Sequence, residues 1–310
     1  MITSTGNKTI RELVRLKKSA KERAKAGVFL VEGPKMFREI PRSLLSAVYA
    51  SESFLNTKEG AAAKQLALSY GIGTEAVSDP VFQYLSDTKS PQGILAVVRQ
   101  MKYEVEDLMG ASPDSAAQKA DAAHADSAMA GHAAALADNM SAGHTAAFAG
   151  STMAGHAAPL IAVLENVQDP GNLGTILRSC EAAGASGILL SRGCADLYSP
   201  KVTRSTMGSI FRVPFAYAEH LSDAVTYLKK QGVRVLAAHL QGSVDLYEVS
   251  FTGPTAILIG NESRGLTDEM AALSSQAVRI PMSGSVESLN AAVAASVILF
   301  EAKRQRLRKH

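Results

Sequence analysis

Two stretches of the chain alternate between the apolar spacing of helices and that of strands. The first runs from about Thr9 to Arg99. A basic amphipathic segment at 10–26 predicts a helix, and the β-branched and aromatic run at 28–31 predicts a strand. Further helices are predicted at 34–40, at 61–70 and from 79 onward, and further strands at 47–50 and 93–98. This alternation predicts a small α/β domain in which helices cover a sheet.

The second alternating stretch begins at Leu160 and continues to the end of the chain. Strands are predicted at 160–164, 187–190, 234–238, 255–259 and 277–280, with an extended segment at 212–216. Helices are predicted at 173–183, 199–207, 221–231, 268–273 and 288–306. Because helices separate the strands, we expect a parallel sheet with helices on both faces and a site beyond the carboxyl ends of its strands.

The composition changes between the two stretches to Ala, Ser, Gly, Asp and His, with few large apolar residues. A Gly-His pair recurs every 12 residues, at His132, His144 and His156. This period matches neither one helix face nor a zinc-ligand spacing, so we predict no metal site and a low-complexity linker. The predicted divisions are 1–102, the linker 103–158, and 159–310.

Charge and cysteine content narrow the class of protein. The chain of 310 residues has two cysteines and a formal net charge of +3. We expect both thiols to be reduced and buried, with no signal peptide and no transmembrane segment, and hence a cytoplasmic protein. Cations cluster at 8–25 and 303–309. Such clusters suit an RNA or DNA backbone, although a solvated helix face gives the same pattern.

The first of three polar, glycine-bearing segments spans 166–178 and follows a predicted strand. Asp169-Pro-Gly is expected to turn the chain, and Asn172 to cap the next helix. Arg178 lies about a turn and a half further along. An arginine near a helix start suits a phosphate group, whereas the alternative is an exposed arginine behind an ordinary cap.

The second segment, 259–266, places Gly260 directly after an apolar strand and Glu262 two residues later. Glycine would let a ligand approach the backbone, and the carboxylate could orient an amine or hydroxyl group. Alternatively, Glu262 forms a structural ion pair with Arg264 or Arg178.

The third segment, 280–290, is a tight serine and glycine loop that leads into the last predicted helix. Ser288 is a candidate N-cap of that helix. The same loop could bind a flat heterocycle between backbone groups and the apolar side chains of Met282 and Leu289.

Several other enzyme classes lack their motifs here. There is no Gly-x-Gly-x-x-Gly after the first strand, no Gly-x-x-x-x-Gly-Lys-Ser/Thr and no Gly-x-Ser-x-Gly. Dinucleotide-dependent dehydrogenases, P-loop NTPases and α/β-hydrolases are therefore disfavoured.

Taken together, the three segments resemble the motifs of the SpoU (TrmH) family of RNA ribose 2′-O-methyltransferases, in the SPOUT superfamily. The matching patterns are Asn172-x-Gly-x-x-x-Arg178, Gly260-Asn-Glu262, and Pro281-Met-Ser-Gly-x-x-Glu-Ser-Leu-Asn290. The resemblance implies an α/β domain whose C-terminal stretch forms a trefoil knot. It also implies S-adenosylmethionine as methyl donor and a homodimer with its sites at the subunit interface.

The resemblance also assigns residues to roles. Arg178 would be the catalytic arginine, acting as a base or through the neighbouring phosphate, and charge stabilisation is the physically safer role. The remaining polar site would consist of Asn172, Glu262, Ser288 and Asn290. The methyl donor would lie against Ala238, His239, Gly260, Ile280, Met282 and Leu289.

The N-terminal hundred residues resemble the L30e-like substrate-binding domain of ribosomal RNA methyltransferases, chiefly through Phe29-Leu-Val-Glu-Gly33. The expected function is methyl transfer to a ribose 2′-hydroxyl, with 23S ribosomal RNA as the expected substrate. The alternatives are a transfer RNA 2′-O-methyltransferase and a non-catalytic RNA-binding or ribosome assembly protein of the same fold.

Overall fold

The computed structural model describes residues 1–110, 158–239, 244–285 and 288–307. By packing, the described residues form two units, one made of Met1–Met101 with Tyr198–Phe211 and the other of the remainder. Nearly all of the predicted linker, with its histidine repeats, lies outside the described residues. The predicted boundaries at 102 and 158 therefore stay predictions.

The first unit is built on a four-stranded sheet in the order β1-β4-β2-β3. Its strands are β1 Val28–Glu32, β2 Leu45–Ser51, β3 Thr74–Val77 and β4 Ile94–Arg99. β4 pairs antiparallel with both β1 and β2, whereas β2 and β3 are parallel. The predicted α/β class of this part is confirmed, with β3 as an additional strand.

Helices cover this sheet and supply much of its core. They are α1 Lys8–Lys18, α2 Ala20–Ala26, α3 Pro34–Arg38, α4 Glu52–Leu55, α5 Lys58–Ser69 and α6 Asp79–Leu85. The predicted single helix at 10–26 is wrong, because Ser19 is extended (φ −124°, ψ 116°). Its hydroxyl accepts from the Glu22 amide and so caps α2, as serine does at helix starts.

A short segment from the second half of the chain completes the first unit. It contains α8 Pro200–Ser205 and a 3-10 turn at Ser209–Phe211. The Tyr198 ring packs against the fully buried Phe29 at a centroid distance of 4.7 Å, and its hydroxyl donates to the Met101 carbonyl at 2.7 Å. Residues far apart in sequence therefore share one core.

The second unit is a seven-stranded sheet in the order β7-β6-β5-β10-β8-β11-β9. Its strands are β5 Leu160–Leu164, β6 Gly187–Ser191, β7 Phe215–Ala218, β8 Arg234–Ala238, β9 Val244–Asp245, β10 Thr255–Ile259 and β11 Gln276–Arg279. All the neighbouring pairs are parallel, which confirms the predicted parallel sheet. All residues of β5, β6 and β10 are buried, as expected for parallel strands covered on both faces.

Four helices described in this unit are α7 Pro170–Ala183, α9 Leu221–Lys230, α10 Asp268–Leu273 and α11 Ala291–Leu307. α11 packs along α7, where the hydroxyls of Ser179 and Ser296 lie 2.7 Å apart. α7 ends at Gly184 in the left-handed conformation (φ 76°), as predicted. Both cysteines are free and buried, in agreement with the prediction of core thiols.

The sequence misplaces the starts of two helices that border the site. α7 begins at Pro170 with Asp169 as its cap, so the prediction of Asn172 as cap is wrong. Proline fits the first turn because it lacks an amide hydrogen that would otherwise stay unpaired. The last helix begins at Ala291 instead of Ser288, and the Asn290 side chain accepts from the amides of Ala292 and Val293.

Within the described ranges, no helix combines the length and apolar character needed to cross a membrane.

Candidate active site

The three polar segments converge at the carboxyl ends of neighbouring strands. The first follows β5 and the second follows β10, and these strands are hydrogen-bonded neighbours. Along the chain, β6 and β7 extend the sheet to one side of β5, whereas β8 lies on the other side of β10. The strand order thus reverses at the β5/β10 boundary, where open parallel sheets commonly bind ligands.

Glu262 lies at the centre of the polar cluster. Its Oε1 accepts from Asn172 Nδ2 at 3.0 Å and from the Asp169 amide at 3.2 Å. Its Oε2 accepts from the Gln168 amide and from Asn261 Nδ2, each at 3.4 Å. All four partners of Glu262 in these contacts are hydrogen-bond donors, as expected for an ionised carboxylate. The alternative of an ion pair with Arg264 or Arg178 is not seen, since the cluster is made of amides.

Asn290 connects this cluster to the start of α11. Its Oδ1 accepts from the first amides of the helix, so its Nδ2 must point the other way. That Nδ2 donates to Asn172 Oδ1 at 2.9 Å. Asn172 in turn presents its own Nδ2 to Glu262. The cap of α11 therefore fixes the orientation of both amides and presents a donor to the carboxylate.

The environment of Glu262 favours its charged form. Burial raises the pKa of the carboxyl, but hydrogen bonds from Asn172 and from backbone amides, including those of Asp169 and Gln168, lower it. The pKa of Glu262 is lowered on balance. Hydrogen bonds to a carboxylate stabilise its ionised state. Glu262 is therefore ionised at neutral pH and acts as a hydrogen-bond acceptor.

Two predicted catalytic residues make no contact with this cluster. Arg178 lies on an exposed part of α7, six residues after Asn172, and its guanidinium has no hydrogen bond or ion pair within the described part of the chain. Ser288 is also exposed. The structure therefore brings together Asn172, Glu262 and Asn290 and leaves Arg178 and Ser288 open to solvent.

Most of the predicted methyl-donor residues lie at or shortly after the ends of three adjacent strands, β10, β8 and β11, whereas Leu289 lies just before α11. The carboxyl ends of these strands are aligned, since Leu258 pairs with Ala237 and Val278 with Ala238. Ala238 ends β8 and His239 follows it, and the His239 amide donates to the Val278 carbonyl at 2.9 Å. Ile280 and Leu289 are half-buried, and Met282 is 38% exposed.

Gly260 has a structural role that the sequence did not indicate. A Cβ at this position would lie 2.1 Å from the carbonyl carbon of Gly265 and 2.2 Å from the Leu266 nitrogen. The backbone of Asn261 and Gly265 closes a tight turn by two mutual hydrogen bonds of 3.0 and 2.9 Å. Glycine is therefore required because this turn, rather than a ligand, occupies the space beside its Cα.

Two asparagines that the sequence did not single out hold the site together. Asn166 adopts the left-handed conformation (φ 55°), and its carbonyl accepts from Asn261 Nδ2 at 2.7 Å. Its amide donates to Ser191 Oγ at 2.9 Å. Asparagine tolerates this backbone conformation better than most residues, so an Asn two residues after the end of a buried strand is a usable signal.

Comparison with known proteins identifies the family. The model of the SpoU rRNA Methylase family matches residues 159–300. A tRNA (guanosine(18)-2′-O)-methyltransferase from Thermus thermophilus is 42% identical over 150 residues, which cover 48% of this chain and 76% of that relative. The chain belongs to the SpoU family. This confirms the family that the three motifs indicated.

The N-terminal part also matches a described domain. The model of the MRM3-like substrate binding domain covers residues 7–96. The expectation of a substrate-binding domain ahead of the SpoU domain is thereby confirmed.

Other SpoU relatives match over a shorter share of their length. A 23S rRNA (uridine(2479)-2′-O)-methyltransferase from Streptomyces viridochromogenes is 39% identical over 143 residues, or 44% of this chain and 50% of that relative. The chain spans about half the length of several curated relatives that it matches.

The fold resembles solved structures over almost the whole chain. An AdoMet-bound rRNA methyltransferase from Sinorhizobium meliloti superposes with a TM-score of 0.74 at 26% identity, covering 98% of this chain and 97% of that one.

Proposed function

We propose that this protein transfers a methyl group from S-adenosylmethionine to a ribose 2′-hydroxyl of RNA. The observation that carries the proposal is the hydrogen-bonded series Asn290–Asn172–Glu262, which links all three motif segments at one edge of the sheet. SpoU relatives with related sequences are named as RNA 2′-O-methyltransferases.

In this proposal the polar cluster orients and Arg178 stabilises charge. Glu262 holds the Asn172 amide and the backbone of residues 168–169 in place. Arg178 is exposed and unpaired within the described residues, so its guanidinium is free to bind an RNA phosphate beside the reacting ribose. A guanidinium is normally protonated, which favours stabilisation of the developing oxyanion over proton removal. Ser288 would add a hydroxyl at the same edge.

The residues at the ends of β8 and β11 fit S-adenosylmethionine. Partly exposed apolar side chains at Ile280, Met282 and Leu289 could cover an adenine ring, and backbone groups of Ala238 and His239 could bind its polar edge. Gly260 would contribute by holding the Asn261–Gly265 turn. When bound, the donor supplies a methyl group on positively charged sulfur. The protein contributes position and exclusion of water.

For the substrate we favour 23S ribosomal RNA. The MRM3-like substrate binding match and the near full-length superposition with an rRNA methyltransferase support a ribosomal substrate. Transfer RNA is the alternative, since the Thermus thermophilus relative is named as a tRNA methyltransferase.

We further propose that the protein is a homodimer. α11 carries an exposed apolar stripe with a seven-residue spacing, in which Val293, Phe300 and Leu307 are 48%, 47% and 65% exposed. Exposed apolar side chains aligned along one face of a helix suit a protein–protein contact. A trefoil knot in the C-terminal stretch is part of the same proposal.

The test is methyl transfer in vitro with labelled S-adenosylmethionine. Ribosomal RNA fragments and transfer RNA transcripts are the two substrate arms, and nuclease digestion locates the label on ribose or base. We expect label on a ribose 2′-oxygen, and a loss of about a hundredfold or more in Arg178→Ala, as for removal of one group that stabilises developing charge. Label on a base, or none with any RNA, would reject the proposal.

Lys230→Ala is the matched control. Lys230 is an exposed cation at the carboxyl end of α9. Because α9 leads into the start of β8, Lys230 lies near the amino ends of the strands, whereas the site lies at their carboxyl ends. Its loss should leave the rate unchanged. Calorimetry of donor binding separates a catalytic defect from failure to bind the donor.

A further inference from the structure

The cations of α1 occupy one face of the helix. At 100° per residue, Lys8, Arg11, Arg15 and Lys18 fall within an arc of about 80° and extend about 15 Å along the axis. All four are exposed, and we call them the cationic stripe. The buried residues Ile10, Leu13 and Leu16 lie on the opposite side of the helix. The hydrophobic contacts of α1 thus direct the stripe outward.

Among the described residues, no acidic side chain forms an ion pair with the stripe, although Glu12 lies on the same helix. The side chains of the four stripe residues form neither a hydrogen bond nor an ion pair within the part of the chain that the structure describes. Lys17, on the same helix, shows the contrast, because its Nζ donates to the carbonyls of Tyr84 and Ser86 at 3.2 and 3.0 Å. Lys17 is used within the fold, whereas the cationic stripe is not.

Helix stability accounts for only part of the stripe, because Arg15 and Lys18 lie in the last turn of α1, where the helix dipole favours cations. The amino end of a helix favours acidic residues because of its positive partial charge. In the same unit, α2, α4, α5 and α6 carry an acidic residue in the first turn, whereas α3 and α8 do not. α1 has none there and instead has Lys8 at its first position. Lys8 is thus placed against the helix dipole, which favours an external anionic partner for the amino end of the stripe.

We infer that α1 binds the RNA phosphate backbone through the cationic stripe, independently of base sequence. The inference rests on the proposed function, since RNA is the partner. Successive stripe residues lie about 5–6 Å apart, so the stripe presents four separate positive charges along a backbone whose negative charges recur every few ångströms. The stripe holds the substrate by charge, whereas the chemistry belongs to the SpoU domain.

The experiment measures RNA affinity of the full-length protein by fluorescence anisotropy at several salt concentrations. Each phosphate contact contributes about 0.7–0.9 to the slope of log K against log salt. The pair Lys8→Gln and Arg15→Gln should reduce the magnitude of that slope by about 1.5, and all four glutamines by about 3. Glutamine is a good helix former, and circular dichroism verifies that α1 remains folded.

The matched control removes two exposed lysines from another helix of the same unit, as Lys58→Gln with Lys64→Gln on α5. It should retain the wild-type slope. Two RNAs of unrelated sequence should lose affinity equally in the stripe variants. An unchanged slope, a loss equal to that of the control, or a loss confined to one RNA would overturn the inference.

Methyl transfer at saturating RNA separates this inference from the proposed function. Stripe variants should reach the wild-type rate there, because they leave Arg178 and Glu262 untouched. If the wild-type protein methylates RNA while the stripe variants bind it normally, only the stripe inference fails. If the wild-type protein neither binds nor methylates RNA, both fail.

Discussion

The side chain of Asn290 serves both the start of α11 and the polar site. Its oxygen caps the helix and its nitrogen donates to Asn172. Since the cap fixes which end faces Asn172, the amide identity at position 290 controls the donor that reaches Glu262. This coupling distinguishes asparagine from aspartate, although both are good N-caps.

Asn290→Asp should therefore abolish most activity while α11 keeps its N-cap. An aspartate would still cap α11 but would face Asn172 Oδ1 with a carboxylate, which favours a flipped Asn172 whose oxygen opposes Glu262. Loss of a hydrogen bond to a charged group corresponds to about a 10- to 100-fold drop in methyl transfer. Urea unfolding and the transfer assay provide the measurements.

Asn7→Asp is the control for this substitution, since Asn7 caps α1 through the Thr9 amide at 2.8 Å. It should change neither activity nor unfolding appreciably. Wild-type activity in Asn290→Asp would show that the orientation of these amides is irrelevant.

Glu262 should make stability depend on pH. Its folded pKa is lowered, so the unfolded chain binds more protons near pH 4, and the stabilisation is present above the ordinary pKa of about 4.3. It is lost as the pH falls through the lower, folded pKa. Glu262→Gln should flatten the fall in unfolding free energy between about pH 6 and 3.

Asn172→Ala should flatten the same curve in part, because it removes one donor and leaves the carboxylate. Chemical unfolding at a series of pH values measures both variants. Equal pH dependence in the wild type and Glu262→Gln would mean that the lowered pKa does not contribute to stability.

Helices and strands are predicted well where a single pattern determines them. β5 and β10 are apolar throughout and follow directly from the sequence. β3 was missed because it is short and only Val77 is fully buried in it, so its stability depends on pairing with β2. The start of α7 was missed because Asp169-Pro-Gly serves as a cap and first turn instead of a separate turn.

The contacts within the site cannot be predicted from local sequence patterns. Glu262 and Asn172 are 90 positions apart, and Asn290 and Asn172 are 118 apart. Periodicity cannot bring such residues together. Family motifs indicated their association, and the strand order supplies the physical reason, since β5 and β10 are neighbours. The role of Gly260 does not follow from local sequence either, because its constraint comes from the backbone of residues 265–266.

At the level of elements, the apolar stripe of α11 predicts self-association. Phe300→Glu would place a charge in the middle of Val293, Phe300 and Leu307 and should convert a dimer to a monomer. Leu68→Glu on α5 is the control, because Leu68 is 66% exposed in the other unit. Sedimentation equilibrium of both variants and the wild type measures the oligomeric state. A monomeric wild type, or a dimeric Phe300→Glu, would contradict the proposed interface.

At the scale of the whole molecule, the two packing units are not continuous in sequence. The segment Tyr198–Phe211 follows β6 of the seven-stranded sheet, yet it belongs to the first unit. Its Val202, Thr206 and Ile210 are fully buried. A fragment ending at residue 101 would therefore lack part of its own core. The stability of the first unit should depend on residues encoded about a hundred positions later.

Tyr198 tests this dependence directly. Tyr198→Phe removes the donor to the buried Met101 carbonyl and should cost about 1–3 kcal/mol of unfolding free energy. Tyr198→Ala also removes the ring that packs on Phe29 and should cost about 3–5 kcal/mol. Tyr84→Phe, at a tyrosine that is 50% exposed, should cost almost nothing. Urea unfolding of the three variants measures these differences, with hydrogen exchange of β1 and β4 to assign the loss to the first unit. If Tyr198→Ala left hydrogen exchange in β1 and β4 unchanged, Tyr198–Phe211 would not contribute to the stability of the first unit.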